Sequence, residues 1–117
     1  MYRPAIQSAQ TLSIIALGNY QATLLTDVVS AGSIRYGYVM EFRDPHGLPC
    51  FYVAAEENEL ARELGGGSHF LCSYLGGTHR NHGSSNEWTD RKRFVQEAFT
   101  MFRQEFSLNE TAPVEDK

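Results

Sequence analysis

The stretch IRYGYVMEF, residues 34–42, decides the fold. Ile34, Tyr36, Tyr38, Met40 and Phe42 alternate with Arg35, Gly37, Val39 and Glu41. A period of two over this length is that of a β-strand with one large apolar face. The loop RDPHGLP follows, punctuated by Pro and Gly, and CFYVAA (50–55) returns as the partner strand, so the segment predicts a β-hairpin. Gly37, in mid-strand, marks a bulge or a place where another group packs close to the backbone.

Working outward, YQATLLTDVVS (20–30) is rich in β-branched and apolar residues and predicts another strand. Residues 4–17, PAIQSAQTLSIIAL, admit either helix or strand. Pro4 suits a helix start, whereas the Gly18–Asn19 pair suits a hairpin turn after a strand. On the other side, residues 56–64 predict a short helix, with Leu60, Ala61 and Leu64 on one face and Gly65 where a helix stops. SHFLCSYL (68–75) predicts a strand that divides Phe70, Cys72 and Tyr74 from His69, Leu71, Ser73 and Leu75.

A long C-terminal helix follows. Trp88, Val95, Ala98, Phe99, Phe102 and Phe106 recur at helical spacings. Ser84 with Glu87 has the form of a capping box, and Thr89 or Asp90 would cap a later start. The sum is an α+β two-layer domain over residues 1–108. It has a mostly antiparallel sheet of about four to five strands, exposed on one side and covered on the other by the last helix. Residues 109–117, NETAPVEDK, predict a flexible polar tail.

A chain of 117 residues suits one domain with a real core. The formal charge of −4 argues against a nucleic-acid role, and basic and acidic residues are nearly balanced between Thr78 and Phe106. Two cysteines, Cys50 and Cys72, are too few for a disulfide scaffold. No run reaches membrane-spanning length, and the stretch TLSIIALG behind Arg3 makes a poor signal peptide. The expected location is the cytoplasm, with no membrane partner, and no cofactor fingerprint is present.

The stretch GGTHRNHGSSNEW (76–88) carries the main functional expectation. A strand end, a glycine pair, hydroxyls and then a helix start form a layout for holding an anion or small polar ligand. The residues expected to bind are Gly76, Gly77, Thr78, His79, Arg80, Asn81, His82, Ser84 and Ser85. Glycines would let the backbone approach, and the side chains would add donors. The connection is also longer than usual, as functional loops often are.

Partner binding is the companion expectation. The tyrosines suit an interface, and an exposed strand edge pairs readily with a second copy to make a homodimer. The alternative is a small enzyme or metal-binding protein using His69, Cys72, His79 and His82, whose paired spacing is of zinc type. Against it, residues 69 and 72 of one strand point to opposite faces. No catalytic residue is assigned, because Gly66-x-Ser68 lacks the second glycine of a nucleophile elbow.

Overall fold

The computed structural model describes residues 3–106. In chain order these are β1 (Ile6–Leu17), β2 (Tyr20–Ser30), β3 (Tyr36–Arg43), β4 (Pro49–Glu57), α1 (Ala61–Leu64), β5 (His69–Leu75), β6 (Thr78–Ser85), a 3-10 turn (Asn86–Thr89) and α2 (Arg91–Phe106). The six strands form one sheet in the order β1-β2-β3-β4-β5-β6. Every neighbouring pair is antiparallel. The α+β class and the covering C-terminal helix are as expected; the strand count is higher.

The surplus has two sources. Residues 4–17, open between helix and strand, hold β1, joined to β2 through a turn in which Gly18 has a φ of 60°. The expected loop after β5 is instead β6, returned by a tight turn at Gly76 (φ 59°) and Gly77. Its weak strand propensity is overridden by the open edge of β5, which offers a ladder of backbone partners. The helix expected over 56–64 shrinks to one turn, because Glu56 and Glu57 stay in the ladder opposite Phe70 and His69.

The last helix also starts later than Trp88. The Ser85 hydroxyl accepts the Glu87 N–H (3.0 Å) and caps only the 3-10 turn. Asp90 then caps α2, its carboxylate accepting the Arg93 N–H at 3.1 Å. The tail at 109–117 lies outside the described residues.

One face of the sheet packs under α2. Phe42, Phe51, Phe94 and Phe102 are all essentially inaccessible there, and Phe42 stacks on Phe102 with ring centroids 4.3 Å apart. Burying each such side chain contributes roughly 2–3 kcal/mol. The expected solvent face is not bare either. Val39, Tyr52, Ala54, Cys72 and Tyr74 form a second buried cluster, packed against Ile6, Leu25, Val28, Tyr36 and Phe70.

Chain geometry explains the cover. β2 pairs with β3 only as far as Leu25 opposite Val39; beyond it, β2 pairs with β1 alone. Asp27 takes a φ of 49° there, and β1 carries three register irregularities. Such bulges bend a ribbon. The free end of the β1–β2 ribbon thus folds over the second face, where the Ala5 N–H donates to the Tyr36 hydroxyl (3.1 Å). Gly37 gives close approach: the His69 imidazole lies 3.5 Å from where a Cβ would stand, and the β3–β4 register shifts beside it. Among the described residues, no helix is long and apolar enough to cross a membrane.

Candidate functional site

The second face contains the most concentrated chemistry in the fold. Side-chain alternation puts Tyr52, Ala54 and Glu56 of β4 on the same face as Phe70, Cys72 and Tyr74 of β5. The two-residue turn at Gly76–Gly77 sets Tyr74 opposite His79, which brings β6 to the group. Ala54 lies opposite Cys72, so Glu56 is the diagonal neighbour of that thiol. The Glu56 carboxylate, Cys72 Sγ and a His79 ring nitrogen all lie within 4.8 Å of one another.

Glu56 is the hub. It is buried, at 7% exposure, and its Oε2 accepts a short hydrogen bond from the Tyr74 hydroxyl. His79 Nε2 approaches the same oxygen at 3.3 Å, and the His79 ring packs against Tyr74 with centroids 4.7 Å apart. Burial pushes the Cys72 thiol up to about 12, with the nearby Glu56 charge and its hydrogen bond adding to the shift. Burial also raises the Tyr74 phenol far above its usual range, again reinforced by Glu56. Left to itself, Cys72 stays a thiol near neutral pH and is a poor nucleophile. A desolvated carboxylate is costly unless paired, and here it gathers donors from two strands.

The expected loop site is divided by the pleat of β6. His79 joins Glu56 on one face. Arg80 and His82 turn to the α2 side, where Arg80 reaches Glu105 (3.7 Å) and His82 Nε2 bonds Ser73 Oγ (2.8 Å). Asn81 accepts the Gly83 N–H, Ser84 accepts the Gly67 N–H, and Ser85 caps the 3-10 turn. Gly76, Gly77 and Thr78 make the turn and open the strand. These residues therefore do not converge at the start of α2, because a paired strand fixes them on alternate sides.

The four-residue metal grouping is similarly split. Cys72 and His79 meet, whereas His69 and His82 sit on the opposite face; Glu56 takes their place. Glu56 falls within the helix that the sequence predicts over 56–64, and the missed signal is the Gly-Gly pair, a two-residue hairpin turn. His69 Nδ1 lies 3.0 Å from Ser68 Oγ, but among the described residues no carboxylate bonds that ring to close a triad. Among the described tyrosines, Tyr52 and Tyr74 are buried, Tyr20 packs on Phe102, Tyr38 packs on Phe94, and the Tyr36 hydroxyl accepts the Ala5 N–H.

Comparison with protein-family models, curated proteins and solved structures finds no match to this chain.

Proposed function

We propose that this is a small binding domain that holds a divalent metal ion, zinc by ligand preference, between Glu56, Cys72 and His79. What supports it is the convergence of one carboxylate, one thiol and one imidazole within 4.8 Å on three adjacent strands. In a tetrahedral site with bonds of about 2.0–2.3 Å, ligand atoms stand roughly 3.3–3.8 Å apart. The Glu56–His79 separation of 3.3 Å already meets that spacing. The thiol needs to move by about an ångström, well within side-chain reach. A mixed sulfur, nitrogen and oxygen set favours zinc over magnesium or calcium, which take oxygen ligands.

Three protein ligands leave a fourth position for water or a small polar molecule, the arrangement of an open rather than a purely structural site. Binding converts the Cys72 thiol to a thiolate and sends its proton to solvent. Affinity therefore rises about tenfold per pH unit near neutrality from this proton alone.

Cobalt(II) titration tests the proposal, because thiolate ligation gives a sulfur-to-metal charge-transfer band. The band is expected with the wild type and with Cys50→Ser, and lost in Cys72→Ser and His79→Ala. Zinc should raise the melting temperature of the same two proteins that show the band. A wild type that gives neither the band nor a zinc-dependent shift overturns the assignment.

A further inference from the structure

The two edges of the sheet are built differently. β6 carries the charged Arg80, and is interrupted by a register shift and by Gly83 at a φ of 106°. Charge and irregularity of that kind keep a strand edge from pairing. β1 carries no charged residue and no proline from Ile6 to Leu17. Its irregularities all fall before Ser13, so Ser13–Leu17 runs in unbroken register with Leu24–Tyr20. Among the described residues, no strand pairs with the outer side of that regular stretch, SIIAL, and its Ile14 is 62% exposed.

Alongside it runs an open groove lined by Ser13, Ile14, Ile15, Leu24, Val95 and the Asp90–Lys92 rim of α2. We propose that this edge pairs with the same edge of a second copy, antiparallel about a two-fold axis near Ile15, giving a continuous sheet through both protomers. A second copy fits for three reasons. An uncharged strand meets itself without like-charge opposition in any register. The rim residues Asp90, Arg91 and Lys92 carry both signs, so apposed copies are not forced into repulsion. A β1-to-β6 contact would be head-to-tail and propagate, whereas β1-to-β1 closes as a dimer.

The contact is small. A five-residue ladder of about 17 Å, with the flanking groove, stays at the low end of specific interfaces, so a micromolar rather than nanomolar dissociation constant is expected. The pairing does not involve the Glu56, Cys72 and His79 site.

Sedimentation velocity across a concentration series tests it. The wild type should shift from monomer to dimer. Ile14→Lys, at an exposed position, places two ammonium groups as diagonal neighbours across the axis and should weaken the dimer at least tenfold. Its circular dichroism and melting temperature as a dilute monomer should match the wild type. Mixing Ile14→Lys with Ile14→Glu should restore association as a heterodimer. A wild type that stays monomeric at high concentration, or an Ile14→Lys protein that dimerises as well as the wild type, overturns the inference.

Discussion

Replacing Glu56 by Gln and by Leu separates its two roles. In the native protein its carboxylate accepts the Tyr74 hydroxyl and faces His79 at 3.3 Å and the Cys72 thiol. Glutamine keeps an acceptor oxygen and nearly the same volume. Each hydrogen bond to a charged acceptor is stronger than its neutral counterpart by about 1 kcal/mol. That loss is offset by the several kcal/mol no longer spent desolvating a carboxylate. The Gln variant should therefore stay within about 1 kcal/mol of wild type.

Leucine takes away the shared acceptor and puts methyl groups against buried donors. At about 1–3 kcal/mol per buried donor deprived of the Glu56 carboxylate, with Cys72 and Tyr74 both buried, a loss of about 2–4 kcal/mol is expected. For a domain of this size that lowers the melting temperature by roughly 8–16 °C, against about 4 °C or less for Gln. Zinc at about a hundred times its dissociation constant should add roughly 2.7 kcal/mol to the wild type and little to either variant. Differential scanning calorimetry with and without zinc reads all of this. A Leu variant melting within about 2 °C of wild type would refute the network's structural role, whatever the metal result.

Two further outcomes follow from the geometry. A Cβ on Gly67 would stand 2.1 Å from the Ser85 backbone, so Gly67→Ala should push β6 off its clamp and cost about 2–3 kcal/mol or more in urea unfolding; a cost below about 0.5 kcal/mol would contradict that contact. Stability should also fall as pH rises above 9. The Cys72 thiol is raised from 9.0 to about 12 and Cys50 to about 11, so the unfolded chain releases its protons first. Cys72→Ala should flatten that decline by about 1.4 kcal/mol per pH unit, measured from urea midpoints between about pH 9 and 11. An unchanged slope would show that Cys72 does not titrate differently in the two states.

The elements that read clearly are those whose side chains are mostly apolar and buried. β3 and β4 declare themselves because both faces of the sheet centre demand apolar side chains, and α2 because its aromatics meet one surface. β6 was illegible for the opposite reason. Thr78–Ser85 is mostly exposed and made of turn-favouring residues, so only pairing with β5 makes it a strand. β1 shows the same exposure along most of its length.

The candidate site was half visible. Cys72 and His79 were named, but their meeting depends on register, which the Gly76–Gly77 turn fixes. Glu56 was hidden because EENELAREL has helical composition, while its first residues are held in β4 by Phe70 and His69.

The strictly sequential order of the sheet has a bearing on how the chain is made. Each strand finds its neighbour in the segment synthesised just before it, so the hairpins form early and locally. The aromatic surface of Phe42 and Phe51, however, waits for α2, the last of the described elements. Until that segment leaves the ribosome, the nascent sheet shows a greasy slab to its surroundings or to a holding chaperone. The hazardous interval for aggregation is thus the one between completion of the sheet and the arrival of α2.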